Sequence, residues 1–355
     1  MFHLSEEDNG QTLGATIKKR MDQWSWGQTR EAILKRRVQV NGNLCLDQAR
    51  KVTEKDVIKL WKESLPKPVQ PSNVKIVYAD DFLVIVEKPP GVTSTRHFEE
   101  RLLKEKRKQL QPTLEELLPL ALEAHFQFRS SLTDRETQDG RNSSRQSKGR
   151  LSATDEQRQR ALRLKKFAVT AVHRLDRDTS GLMVFARTPS VAQMLGVAFR
   201  KHDVTRKYHA VVHGHPQSQK FDSILVRDRG DGKRGTKPVD REEDPSSQRA
   251  ITQIRPIESI GQYSLLECQL ETGRTHQIRI HLSEAGHMLC GDSIYNRSLN
   301  GVPTLDSSNA PRQALHSATL EFKHPLTEEP LAFRMPWPAD LFKWLKDLRS
   351  QASPS

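Results

Sequence analysis

In residues 173–186, HRLDRDTSGLMVFA, five ionisable side chains and a glycine run straight into a continuous apolar segment. Residues 182–186 are too short and too uniformly apolar for a surface helix, and are expected to be a buried strand. A charged loop feeding a buried strand sets functional groups at a sheet edge on rigid backing. The same residues would also suit an ordinary charged turn capped by Asp178 and Thr179.

The flanking sequence extends this pattern in both directions. Downstream, residues 190–200 have helical spacing with Ser190 as the expected cap, and 207–212 and 263–270 alternate as strands do. Upstream, residues 74–86 suggest two strands around a turn at Ala79-Asp80-Asp81, ended by Lys88-Pro89-Pro90-Gly91. Elements in this order predict an α+β fold: a mixed, largely antiparallel sheet with helices packed on it.

A second dense cluster covers residues 272–282, TGRTHQIRIHL, followed by Gly286-His287 and Cys290-Gly291-Asp292. Thr275 is the expected cap of a helix whose Ile278 and Leu282 face the core, which leaves Arg279 near the buried side. A half-buried arginine needs a carboxylate. His276, His281 and His287 lie 5 and 6 residues apart, which does not match a zinc-binding helix, so no metal is expected.

Residues 12–62 form a separate unit carrying 12 lysines and arginines against 5 acids, a bias that favours an anionic partner. Leu13, Ile17, Met21 and Trp24 recur at helical spacing, Gly27 interrupts, and Thr29 is the expected cap of a second helix to about Arg37. A strand at 38–40, a tight turn at Asn41-Gly42 and a strand at 57–60 complete it. The prolines of 63–73 read as a stiff linker to a domain over 74–349. That domain carries two polar insertions, at about 98–166 and 226–249. In the first, helices are expected over 113–126 and 154–165, with disorder over 130–150 between them.

The 355 residues hold 57 lysines and arginines against 44 acids, a formal charge of +13, which points to a polyanionic partner. Three widely spaced cysteines, Cys45, Cys268 and Cys290, form neither a disulfide framework nor a zinc motif. No secretory leader is seen, and no apolar run approaches the roughly 18 residues of a membrane span. A soluble, cytoplasmic protein is expected.

HRLDRDTSGLMVFA resembles the catalytic motif of the RluA-type pseudouridine synthase family. VYADDFLVIVEKPPGV (77–92), RKYHAVVHG (206–214), GRTHQIRIHLSEAGHMLCGDSIY (273–295) and LHSATLEFKHPLT (315–327) resemble its other motifs in the same order. Residues 12–62 are similar to the S4-like RNA-binding module, a small α/β unit that often precedes this catalytic domain.

The resemblance implies that Asp176 is the catalytic carboxylate, Tyr208 the active-site tyrosine, and Arg279 the cation that keeps Asp176 ionised. It implies a reaction without cofactor or metal: uracil leaves its ribose, turns, and rejoins through C5. Asp176 could attack C1′, abstract a ribose proton, or add to C6. Arg174 corresponds to an arginine that fills the gap left by the extruded nucleotide, with His173 beside it; an ion pair with Asp178 is its plainer use. Lys18, Lys19, Arg30, Lys35, Arg36 and Arg37 are the expected RNA contacts of the S4-like unit.

The chain departs from the family pattern at Glu87, where asparagine is usual, in the Thr93–Arg96 continuation, and in the long insertion. These departures bear on the choice of RNA. The expected function is isomerisation of uridine in structured RNA by a monomer, first in large-subunit ribosomal RNA. Transfer RNA is the alternative target, and a non-catalytic S4-type RNA-binding protein the alternative class.

Overall fold

The computed structural model describes residues 2–41, 43–96, 110–137, 162, 164–229, 233–237, 247–298, 301 and 303–352. It separates into two compact units, one of residues 1–69 with 96–113, the other of 70–95 with 114–355.

In the first unit, β1 (Phe2–His3), β2 (Val38–Val40), β3 (Asn43–Leu44) and β4 (Val57–Leu60) form an antiparallel sheet in the order β1-β4-β2-β3. Helices α1 (Leu13–Arg20) and α2 (Trp26–Leu34) bury Leu13, Ile17 and Ile33 with Val38, Val40 and Ile58. Asn41 sits at φ 52°, the left-handed geometry expected of a tight hairpin. Two details differ from expectation. Ser25, not Thr29, caps α2, because Ser25 and Gln28 form a reciprocal capping box; Gly27 lies inside the helix rather than breaking it. The unit also exceeds 12–62: β1 pairs with β4, and Arg36 draws the proline-rich segment in through the carbonyls of Leu65 (3.3 Å) and Pro66 (3.0 Å).

The second unit is built on one mixed sheet. Its strands are β5 (Lys75–Ala79), β6 (Leu83–Lys88), β7 (Thr170–Ala171), β8 (Ser180–Ala186), β9 (Thr205–His213), β10 (Gln219–Val226), β11 (Gly235–Thr236), β12 (Gln248–Ile260), β13 (Tyr263–Leu270), β14 (Leu315–Lys323) and β15 (Pro330–Arg334). The order is β11-β10-β12-β13-β9-β14-β8-β6-β5, with β15 on β14 and β7 on β8. Among the described residues only β8 and β14 run parallel, through His316↔Ser180 and Ser317↔Gly181. The α+β fold with a largely antiparallel sheet is as expected.

All seven residues of β8 are buried, which explains its unbroken apolar run. Leu182, Val184 and Ala186 join Leu83 and Ile85 against Val191 and Leu195 of α4 (Pro189–Lys201), after α3 (Leu114–Thr137) in the chain. Each side chain so buried contributes about 1.5–3 kcal/mol, so the strand behind the charged loop is firmly seated. Thr188, not Ser190, caps α4, because Pro189 already suits the first helical position. Helix α3 continues to Thr137 rather than ending near 126, so the expected disorder is not found at 130–137; 138–150, and most of the helix expected over 154–165, lie outside the described residues. Helix α5 (Gln277–Glu284) is almost wholly buried, and α6 (Ala339–Ala352) packs Leu341, Leu345 and Leu348 against Val211 and Leu265.

Candidate active site

The loop before β8 is fastened from several sides. Thr179 N–H donates to the Asp176 carbonyl at 3.2 Å, closing a tight turn. Ser94 Oγ donates to the Leu175 carbonyl (2.9 Å) and accepts the Leu175 N–H (3.0 Å), pinning the residue just before Asp176. Lys88, at the end of β6, is fully buried, and its Nζ donates to the carbonyls of Pro89 (3.0 Å), Arg177 (2.8 Å) and Thr179 (2.7 Å). Burial pulls the Lys88 pKa down to about 7, yet three acceptors use all three N–H groups of an ammonium. Arg312 donates to the Asp178 carbonyl at 2.9 Å, and Gln313 to Thr179 Oγ1 at 2.8 Å.

Gly181 makes the passage into β8 possible. It sits at φ 114°, and a Cβ there would come within 2.7 Å of Ser317 N and nearer still to the Ser317 carbonyl. The parallel contact between β8 and β14 therefore requires glycine at the base of the loop.

Asp176 is half-buried at the mouth of a cleft. Its Oδ2 receives Arg279 Nη1 at 3.3 Å. Arg279, in α5, is held more tightly elsewhere: Nε and Nη2 donate to the two carboxylate oxygens of Asp292 at 2.7 and 2.9 Å. Asp292 is itself fixed by the N–H groups of Ile294 and Tyr295. Burial works against the Arg279 charge, but the Asp292 hydrogen bonds, with Asp292 and Asp176 as counter-charges, outweigh it and raise the pKa. The guanidinium carbon also lies 4.9 Å from the Tyr295 ring centre.

His276 stands on the other side of the carboxylate, Nε2 3.9 Å from Asp176 Oδ1, with Nδ1 2.8 Å from the Tyr295 hydroxyl. Burial lowers its pKa against the pull of Asp176, leaving a neutral ring at neutral pH. His276 adopts φ 61° and begins α5 without a side-chain cap, so the expected Thr275 cap is not formed. The helix start is held instead by Gln277, whose Oε1 accepts the Arg274 N–H at 2.9 Å and the Thr272 hydroxyl at 2.8 Å.

Tyr208, on β9, faces the same cleft and is 4% exposed. Burial raises its phenol pKa, and the Asp176 charge adds to this, so at neutral pH it is a phenol and not a phenolate. The cleft has a volume of about 700 Å³, within the usual size of a small-molecule site. Asp176, Arg174 and His173 of one loop line it together with the distant Tyr208 and Arg279.

Arg174 is exposed at its rim, and no ion pair ties it to Asp178 among the described residues. His173 is different. Its Nε2 accepts the Val184 N–H at 3.0 Å, its ring stacks on Phe199 at 4.7 Å, and burial pushes its pKa down to about 3. The ring anchors the loop on β8 while it lines the cleft.

In the first unit the expected RNA contacts divide. Arg30 is exposed and makes no ion pair among the described residues. Lys18 reaches the Asp22 carbonyl (3.1 Å), while Lys19 pairs with Glu7 (3.3 Å) and Lys35 with Glu31 (2.5 Å) at the surface. Arg36 and Arg37 are half-buried. Arg36 is spent on carbonyls, and Arg37 donates to the Trp61 carbonyl at 2.9 Å and lies over Trp24. Both guanidinium groups thus help to hold the module's own backbone.

Sequence reading missed Asp292, His276, Tyr295, Ser94 and Lys88 as parts of the site. The one available signal was the buried position of Arg279, which demanded an acid; the resemblance supplied Asp176 but not Asp292. No helix among the described residues is long and apolar enough to cross a membrane. The described residues bring no three His, Cys, Asp or Glu side chains together as metal ligands.

The family described as RNA pseudouridylate synthase matches residues 82–284. The ribosomal large subunit pseudouridine synthase D of Zymomonas mobilis is 42% identical over 184 residues, 49% of this chain and 55% of that protein. Its namesake in Vibrio cholerae is 38% identical over 187 residues, 51% of this chain and 56% of that protein. The chain thus spans about half the length of these curated relatives. Among solved structures, human RNA pseudouridylate synthase domain containing 4 shares the fold, with a TM-score of 0.52 at 22% identity over 78% of this chain and 93% of that one. With more than half of its residues matched, including the Asp176 loop and the Arg279 helix, the chain belongs to the RNA pseudouridylate synthase family.

Proposed function

We propose that this protein isomerises uridine to pseudouridine in structured RNA, using Asp176 and no cofactor. The observation that carries the reading is the chain Asp292–Arg279–Asp176, which delivers one oriented carboxylate to a cleft also lined by Tyr208. In the reaction the N1–C1′ bond breaks, the C5–C1′ bond forms, the C5 proton leaves and N1 gains a proton. The Asp176 carboxylate can attack C1′ as the N1–C1′ bond breaks, take a ribose proton, or add to C6. Tyr208, kept as a phenol by burial, can stack on the base and donate a hydrogen bond as charge moves through the ring.

The target nucleotide must leave its stack to reach the cleft, at a penalty of a few kcal/mol. Arg174, exposed at the rim, supplies a planar cation to take its place. The first unit, with Arg30 and Lys18 at its surface, supplies an RNA anchor of the S4-like kind. The names of the Zymomonas and Vibrio relatives favour large-subunit ribosomal RNA over transfer RNA. A monomer in the cytoplasm is part of the same reading.

Carbodiimide mapping of pseudouridine tests it. Unmodified large-subunit ribosomal RNA and transfer RNA are incubated with the full chain or with Asp176→Asn. New adduct stops in ribosomal RNA with the wild type alone are expected. Stops in transfer RNA alone would move the target, and none in either RNA would defeat the reading.

A further inference from the structure

Arg206 poses a problem that the reaction chemistry does not use. It lies on β9 two residues before Tyr208, on the same face, and lines the same cleft. It is 6% exposed, yet no carboxylate pairs with it among the described residues. Its Nη2 donates to the Glu271 carbonyl at 3.0 Å, its guanidinium carbon lies 5.3 Å from the Phe199 ring centre, and its buried Nε has no hydrogen-bond partner. A buried cation with an unused donor is unfavourable unless something supplies the missing acceptor.

The neighbourhood does not supply it from the protein. Among the described residues six arginines line the cleft and Asp176 is its one acid, already shared with Arg279, so the wall is strongly positive. Room for the Arg206 head is kept by Gly273, where a Cβ would come within 2.7 Å of Nη1. Phe199 shields one face of the guanidinium and Glu271 fixes one edge, which leaves a planar fork in a cleft that must admit a nucleotide.

We propose that Arg206 is a buried phosphate-binding residue: it takes a phosphate oxygen of the target nucleotide itself, on the 5′ or the 3′ side. This rests on the proposed action of the cleft on RNA uridines. Guanidinium groups suit phosphate through paired, charge-assisted hydrogen bonds. Seating a phosphate there orients the ribose relative to Asp176 from a fixed point separate from the base.

The test is binding of uridine, 5′-UMP and 3′-UMP to the full chain by titration calorimetry at low salt. The wild type should bind one of the two monophosphates about tenfold more tightly than uridine, and which one names the phosphate. Arg206→Gln should abolish that preference, Arg206→Lys should keep part of it, and Gly273→Ala should weaken it by crowding the guanidinium. If Arg206→Gln does not fold, as judged by thermal melting, the lysine and Gly273→Ala variants decide. A wild type without phosphate preference, or one whose preference survives these substitutions, overturns the assignment. Asp176→Asn must keep the preference. If it does while no RNA is isomerised by the wild type, the enzymatic reading fails and the phosphate site stands. If RNA is isomerised without any phosphate preference, the site alone falls.

Discussion

Arg279 gives two of its nitrogens to Asp292, at 2.7 and 2.9 Å, and keeps the third for Asp176, at 3.3 Å. The two acids have different tasks. Asp292 is buried and fixes the guanidinium plane; Asp176 is partly open and takes what that plane leaves over. Asp292→Asn should therefore impair catalysis without touching substrate. Removing one partner of a buried pair lowers stability by about 3–5 kcal/mol, and a misplaced guanidinium should slow turnover on the order of 100-fold. Urea unfolding and steady-state rates check both; an unchanged rate in the folded variant would contradict the division of labour.

Gly181→Ala should be among the most damaging small substitutions in the chain. The added methyl group meets the backbone of Ser317, which cannot swing aside as a flexible side chain could, and φ 114° disfavours any residue with a Cβ. A loss of at least about 1–3 kcal/mol is expected, with a larger loss of activity because the Asp176 loop starts from this strand. Chemical denaturation measures it, and wild-type stability would refute the argument.

Much of this was legible in the sequence, and the failures share a cause. The strands at 38–40, 57–60 and 263–270 were read at their observed limits, because alternation and turn residues are local signals. The loop at 173–181 stood out because its charges abut an apolar run. Helix caps were misplaced where two candidates competed: the reciprocal Ser25–Gln28 pair prevailed over Thr29, and Thr188 followed by Pro189 prevailed over Ser190. Asp292 could not be identified because its pairing with Arg279 exists only once α5 and the following loop fold together. The buried roles of His173 and Lys88 are likewise tertiary, set by Val184, Phe199 and three carbonyls that no spacing rule reports.

His173 and Arg174 are neighbours with opposite expected phenotypes. His173→Ala removes the acceptor for the buried Val184 N–H and a ring stacked on Phe199, so the melting temperature should fall. Arg174→Ala should leave melting unchanged and slow turnover at saturating RNA, with bulk RNA affinity nearly the same. Thermal melts and filter binding separate the two; a large affinity loss in Arg174→Ala would remove its role in replacing the extruded base.

Acid should destabilise the catalytic unit before carboxylates titrate. Burial pushes His173 down to about 3, and His281 and His316 to about 4, from an ordinary 6.5. Below pH 6.5 the unfolded chain takes up protons that the folded chain refuses. The stability these rings contribute is therefore complete above 6.5 and is lost as pH falls towards 4. Urea unfolding at stepped pH should show the midpoint falling across this window, with a shallower slope in His281→Asn. A flat profile would show that the rings are not buried neutral.

The central claim is that the Asp176 carboxylate, placed by Arg279, breaks and remakes the bond between uracil and ribose. Tritium release from RNA labelled at uridine C5 reads that event directly, since the C5 proton leaves only when the base has rejoined through C5. The wild type should release tritium in step with pseudouridine formed, and folded Asp176→Asn should release none above background. Equal release by the two proteins would contradict the account at its root.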